Sequence, residues 1–271
     1  MSISSDQPIG IFDSGVGGLT VTNAIKQLLP DEQLIYFGDT LHLPYGDKSA
    51  ESVRYYSVRI ADFLLEHNCK TVLIACNTAS AFAYKSVVEH IGNNALVINV
   101  IDPVVSYVNL QKFRKIGVIG TKGTINSGTY EKTIAAFNPQ QKVVSMATPL
   151  LVPMIEEGFI FDDISNAIIR AYLSNEQLSG IDALILGCTH YPIIKNQISK
   201  YYNFDIDIVD SARIVANKVK EKLQQENLLN QNKDHKKNKF FVSDYTEYFE
   251  KIARMFFEHA IHLEKIDLWK E

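Results

Sequence analysis

Residues 71–79 read Thr-Val-Leu-Ile-Ala-Cys76-Asn-Thr-Ala, and residues 183–190 read Ala-Leu-Ile-Leu-Gly-Cys188-Thr-His. Each is a short apolar run that ends at a cysteine followed by small polar residues, and each leads into a stretch with helical spacing. Ala79–His90 follows the first, and Pro192 opens Ile193–Tyr202 after the second. A buried strand running through a tight turn into a helix is the repeating unit of a parallel α/β sheet. In open sheets of that kind ligands bind beyond the carboxyl ends of the strands, so the two cysteines stand where chemistry is expected.

Outward from these segments the same alternation continues. Further strands are predicted at Ile9–Phe12, Leu34–Phe37, Leu96–Val100, Ile116–Ile119, Val143–Ser145, Ile206–Val209 and Phe240–Ser243. Helices are predicted at Leu19–Leu29, Ala50–His67, Gly128–Phe137, Asp162–Leu173 and Ser211–Gln225. Ile9-Gly-Ile-Phe-Asp13 runs into a glycine-rich turn as Ile116-Gly-Val-Ile-Gly120 runs into Thr-Lys-Gly-Thr, and Gly10 precedes Cys76 by nearly the distance that Gly117 precedes Cys188. This doubling predicts two pseudo-symmetric, three-layer α/β/α lobes with mainly parallel sheets and an active site in the cleft between them. The first lobe is expected to comprise residues 1–99 and 210–271 and to carry Cys76, and the second residues 100–209 with Cys188.

Composition narrows the class. Hydrophobic residues at 46% and charged residues at 21% of 271 positions describe an ordinary soluble protein and exclude collagen-like, disordered and disulfide-scaffold chains. With 27 Lys and Arg against 31 Asp and Glu the net charge is -4, which offers no global positive field for nucleic acid. No apolar run reaches the length of a membrane span, and the opening MSISSDQPIG lacks the basic cluster and apolar core of a secretory signal. Three cysteines without CxxC spacing argue against a disulfide framework or a closed zinc site and point to a reducing cytoplasm.

A lone cysteine at a strand end is most simply a packed small residue, and Cys69, in a helix-to-strand connection, is read that way. Two at matching positions suggest more. Cys76 is expected beside a helix N-terminus with Asn77 and Thr78 as capping side chains, and Cys188 in the equivalent place, so both thiols are expected to ionise more easily than the usual value of about 8.5. One thiol in each facing lobe can take a proton from one face of a carbon and return it on the other, which is racemisation by two bases. The turns Asp13–Gly18, Tyr45-Gly46, Cys76–Thr78 and Cys188–His190 contain no Arg or Lys. Ser14, Asn77, Thr78, Thr189 and helix-start amides are therefore expected to hold the carboxylates of a small acidic amino acid. Asp13 would bind an ammonium group, orient proton transfer at Cys76, or simply cap a helix. His190 would assist Cys188 or serve structure alone.

Gly15-Val-Gly17-Gly18-Leu-Thr20 lacks the third glycine of GxGxxG, and nothing matches GxxxxGK[ST], so a nucleotide site has little support. No pyridoxal lysine or metal cluster is evident; no cofactor and no metal are expected. Near the C-terminus, Gln231–Lys239 with Lys236, Lys237 and Lys239 reads as a solvated loop. Asp244 with Glu247 reads as a capping box that opens a last helix with the stripe Phe249, Ile252, Met255 and Phe256.

Seven motifs in order carry a family resemblance: Gly10-Ile-Phe-Asp-Ser-Gly-Val-Gly-Gly18, Tyr36-Phe-Gly-Asp-Thr40, Pro44-Tyr-Gly46, Ala75-Cys-Asn-Thr-Ala79, Val118-Ile-Gly-Thr-Lys-Gly-Thr124, Val152-Pro-Met-Ile-Glu-Glu-Gly158 and Gly187-Cys-Thr-His-Tyr-Pro192. From about Pro8 to the C-terminal helix the chain resembles the glutamate racemases of the aspartate/glutamate racemase family. The resemblance implies an isomerase that interconverts L- and D-glutamate without a cofactor, supplies D-glutamate for bacterial peptidoglycan in the cytoplasm, and forms a homodimer. It makes Cys76 and Cys188 the acid/base pair, and Asp13, Ser14, Tyr45, Gly46, Asn77, Thr78, Thr189 and His190 substrate contacts. Thr121 and Thr124 become further contacts, and Glu156, with Glu157 beside it as the alternative register, a carboxylate near the second cysteine. Leu41-His42-Leu43 departs from the small and basic residues of many relatives and bears on the edge of the pocket. Three alternatives stand beside this reading. They are a racemase for aspartate or a hydantoin, a hydrolase using Cys188 with His190, whose side chains need not meet, and a two-lobed binding protein without catalysis.

Overall fold

In the first strand, β1 (Ile9–Asp13), Ile9 and Ile11 enter one apolar cluster and Phe12 another, as period-two geometry demands when both faces of a sheet are covered. The same division recurs in β2 (Leu34–Gly38), where Leu34 and Tyr36 oppose Ile35 and Phe37, and in β3 (Thr71–Ile74), where Leu73 opposes Val72 and Ile74. The remaining strands are β4 (Leu96–Asn99), β5 (Lys115–Gly120), β6 (Lys142–Ala147), β7 (Ala183–Gly187), β8 (Asp207–Val209), β9 (Lys239–Val242) and β10 (Leu263–Lys265). The helices are α1 (Leu19–Leu28), α2 (Ala50–Glu66), α3 (Asn77–Ile91), α4 (Ile101–Asn109), α5 (Lys122–Asn126), α6 (Thr129–Phe137), α7 (Leu151–Glu156), α8 (Asp163–Leu173), α9 (Lys195–Tyr201), α10 (Ser211–Gln225) and α11 (Glu247–Phe256). The computed structural model describes residues 3–232, 237–257 and 261–270; Met1, Ser2 and Lys236, on which parts of the sequence reading fall, lie outside them.

The strands form two sheets, in the orders β10-β9-β2-β1-β3-β4 and β6-β5-β7-β8, and every pairing is parallel. Parallel neighbours need crossover connections, and the helices supply them on both faces. In the first lobe α2 and α3 cover one face, and α1 and α10 the other. In the second, α4 and α6 cover one face, and α7, α8 and α9 the other. The run β2-β1-β3-β4 has the order of β6-β5-β7-β8, so the repeat read from the sequence is a repeat of topology. The chain reverses its direction of growth between β1 and β3, and again between β5 and β7. Such switch points open a crevice at the carboxyl ends of the strands, and Cys76 and Cys188 follow β3 and β7 there.

Four elements escaped the sequence reading: α4, α5, α7 and β10. Pro103 falls in the first turn of α4, where a missing N–H is tolerated, and Asn99 Oδ1 accepts from the amides of Ile101 and Asp102 at 2.8 Å each. The expected capping box at Asp244 is corrected. Thr246 caps α11, accepting from the Phe249 amide at 3.2 Å, while Asp244 pairs with Lys265 Nζ at 2.6 Å and so ties β10 to the loop before α11. In the stripe, Ile252 and Phe256 are buried but Met255 is 43% exposed. No helix among the described residues is long and apolar enough to cross a membrane.

Candidate active site

Cys76 is itself the N-cap of α3. Its Sγ accepts from the Ala79 amide at 3.4 Å and donates to Ser14 Oγ at 3.6 Å, which displaces the expectation that Asn77 and Thr78 cap this helix. Those two are helical residues whose side chains turn toward the opposite lobe. Burial pushes the Cys76 thiol up to about 12, and the negative charge of Asp13 adds to the shift; the bond from the Ala79 amide favours the thiolate, as does the Ser14 hydroxyl when it turns its proton to the ionised sulfur, but both are outweighed. The expected ease of ionisation is overturned here because desolvation exceeds what one helix end returns.

Cys188 lies in a turn ahead of a 3-10 segment, Tyr191–Ile194. Its Sγ is 3.8 Å from His190 Nδ1, and His190 Nε2 is 3.0 Å from Glu156 Oε1. The two side chains of this turn, which the sequence left free to meet or not, do meet. Burial alone would lower the His190 pKa, but the hydrogen bonds to Cys188 and Glu156 and their charges raise it to about 10. A cationic imidazole thus stands beside the second sulfur. It has room because Gly17 faces it: a Cβ there would come within 2.5 Å of the ring.

Both sulfurs line one cavity of about 220 Å³ between the lobes. Ser14, Tyr45, Gly46, Asn77, Thr78, Thr121, Thr189, His190 and Glu156 line it as well. Gly46 lets the lobes touch at its edge, since a Cβ would sit 2.6 Å from Thr121. Asp13 does not line the cavity. It is fully buried beneath the turn and accepts from the amides of Gly15 and Gly18 at 3.1 Å each, with Thr189 Oγ1 at 3.5 Å. Its bonds brace the glycine-rich turn ahead of α1, whose first amides bond Val16 O and Gly17 O instead, and burial raises its pKa despite them and despite the opposing charge of His190.

A profile of Asp/Glu/Hydantoin racemases matches residues 9–219. The chain belongs to this racemase family. It is 43% identical to the glutamate racemase of Chlorobaculum parvum, covering 94% of this chain and 93% of that one, and 42% identical to that of Geobacter metallireducens, covering 92% of each. A crystal structure of glutamate racemase from Francisella tularensis in complex with D-glutamate superposes with a TM-score of 0.91 at 38% identity, covering 98% of this chain and 99% of that one.

In this member of the racemase family several site residues lay beyond the sequence reading. Lys122 lines the cavity, so a site expected to hold anions without much formal positive charge has one cation from outside the four turns; its Nζ lies 3.2 Å from Asp47 Oδ1 of the other lobe. The signal was present in Gly120-Thr-Lys-Gly-Thr124, but only the packing of one lobe against the other brings that turn to the mouth. Thr124 stands behind the wall, joining Thr121 (3.0 Å) and Thr78 (3.1 Å) in a triangle of hydroxyls that crosses between the lobes, with Thr78 and Thr121 2.9 Å apart. Of the two adjacent glutamates, Glu156 is the one that reaches His190.

The departure at Leu41-His42-Leu43 also has a place. Leu43 lines the cavity, and His42 stacks on Tyr56 with centroids 4.1 Å apart. Asp39, fully buried, gathers His42 Nδ1 at 2.8 Å, Tyr45 OH and Ser243 Oγ at 2.7 Å each, and Trp269 Nε1 at 3.1 Å. The C-terminal tail thereby helps fix Tyr45 at the cavity wall.

Proposed function

We propose that this chain interconverts L- and D-glutamate without a cofactor, by two-base proton transfer between Cys76 and Cys188. The observation that carries the reading is that two sulfurs, delivered by equivalent strand ends of opposite lobes, line one small cavity. The Francisella tularensis relative in complex with D-glutamate supports the substrate.

The surroundings of the two sulfurs differ. Burial holds Cys76 as a thiol, while the His190 ring, held by Glu156, stands 3.8 Å from Cys188 Sγ. A negative charge on Cys188 raises the Cys76 pKa further. With one sulfur as thiolate and the other as thiol, the thiolate takes the α-proton from one face and the thiol returns its own proton to the other. The charge then rests on the second sulfur, and the reverse reaction begins from there. Ser14, Asn77, Thr78 and Thr189 supply neutral donors for the carboxylates, and Lys122 a cation at the mouth. D-glutamate made in this way would serve peptidoglycan synthesis in the cytoplasm, by a homodimer that sedimentation equilibrium would reveal.

In deuterated water the enzyme is expected to place deuterium at the α-carbon of both enantiomers, and activity is expected to survive exhaustive chelation. Cys76→Ala and Cys188→Ala are each expected to abolish racemisation; substantial activity in either one overturns the reading. A thiol hydrolase is the second reading, because Cys188, His190 and Glu156 form the line such an enzyme uses. It predicts that Cys76→Ala remains active, which separates the two.

A further inference from the structure

The Asn77 side chain is buried, and its two polar atoms are matched unequally. Oδ1 accepts from Tyr130 OH at 2.8 Å, whereas Nδ2 is shielded from solvent without a partner among the described residues. Asn77 is the first residue of α3 and lines the cavity from the first lobe; Tyr130 rises from α6 in the second. The bond therefore crosses between the lobes and exists only while they are together.

The donor inventory fixes which way the amide points. A phenol that donates to Oδ1 leaves Nδ2, with both its N–H donors unmatched, on the side of the cavity that Asn77 lines and where an anion is to bind. Were the amide reversed, Nδ2 would donate to the phenol oxygen. The phenol proton would then lack an acceptor, and Oδ1 would face the substrate carboxylates with its own partial negative charge. Tyr130 is itself buried against the second lobe, and burial together with the charge of Cys188 raises its pKa, so the phenol keeps the proton it donates.

We propose that Tyr130 is a positioning residue that orients the Asn77 amide across the cleft, so that Nδ2 meets a carboxylate oxygen of the substrate. This rests on the glutamate racemase reading and adds a residue from the far lobe to substrate recognition.

The test is steady-state racemisation of L- and D-glutamate by wild type, Tyr130→Phe, Asn77→Ala and the double variant, with melting temperatures for each. Tyr130→Phe removes one oxygen and is expected to raise KM for both enantiomers about five- to tenfold, with kcat within about twofold. In the Asn77→Ala background the same change is expected to add nothing. An unchanged KM with a lowered melting temperature overturns the inference, as does an equal KM loss in the Asn77→Ala background. If Tyr130→Phe does not fold, Asn77→Asp decides: it can accept from Tyr130 but presents an acceptor to the cavity, so KM is expected to rise at least as far as in Asn77→Ala. Tolerance of Asn77→Asp overturns the orientation. Failure of wild type to racemise glutamate would instead sink the underlying reading, while a racemising wild type with unaltered Tyr130→Phe kinetics sinks this inference alone.

Discussion

His190 decides how the two thiols differ. Its folded pKa of about 10 lies above the ordinary value of 6.5, so protonation favours the native state. That contribution is present in full below about pH 6.5 and is lost as the pH rises through about 10. Turnover that begins at Cys188 is expected to fall over the same upper limb, and a pH profile of kcat alongside thermal melts would reveal both. His190→Gln keeps a polar side chain but no charge, and is expected to remove the upper limb together with most of the turnover in one direction. Gly17→Ala probes the same ring from behind. The added Cβ would stand 2.5 Å from the imidazole, so the ring must move. A displacement on the order of 1 Å at a catalytic group can cost about a hundredfold in rate, and kcat is expected to fall by about that much with the far-UV spectrum unchanged.

The element that braces this ring from outside is α11. The Phe256 ring meets His190 edge-on, with centroids 5.3 Å apart at 82°, and Tyr248 OH donates to the Glu156 carbonyl. Phe256→Ala is expected to destabilise the protein by about 3 kcal/mol, read as a lowered urea midpoint, because an aromatic ring is lost from a buried site. Phe256→Leu, which keeps most of the volume, is expected to cost less. The amphipathic pattern of α11 was legible in the sequence but its partners were not, since they sit about sixty to ninety residues earlier in the chain. The strands that carry the cysteines were legible for the opposite reason: a run buried on both faces must be apolar throughout, and a strand-end cysteine is visible as a break in it. The ionisation of Cys76 was misjudged because the sequence displays the helix end beside the sulfur but not the desolvation around it. Lys122 was overlooked because it enters the site from the lobe opposite Cys76, and α4 because Pro103 reads as a stop unless its place in the first turn is known.

Across the whole molecule the two lobes repeat one strand order but do not keep separate cores. Ile9, Ile11 and Tyr36 of the first sheet belong to the same apolar cluster as Ile119, Leu184 and Leu186 of the second, with α1 and α10 among the helices that complete it. A shared core predicts shared cooperativity, because neither sheet can lose its partner without exposing its own face to water. The single tryptophan, Trp269, packs against Tyr56 and Asp39 in the first lobe and so reports on that lobe alone. Leu184 lies fully buried in the second. Leu184→Ala is expected to cost about 3 kcal/mol and to shift the urea midpoint of tryptophan fluorescence by the same amount as that of the far-UV signal. Were the fluorescence transition to stay in place while the far-UV transition moved or divided in two, the lobes would be unfolding independently. The cleft would then be a junction of two domains rather than a groove cut into one core.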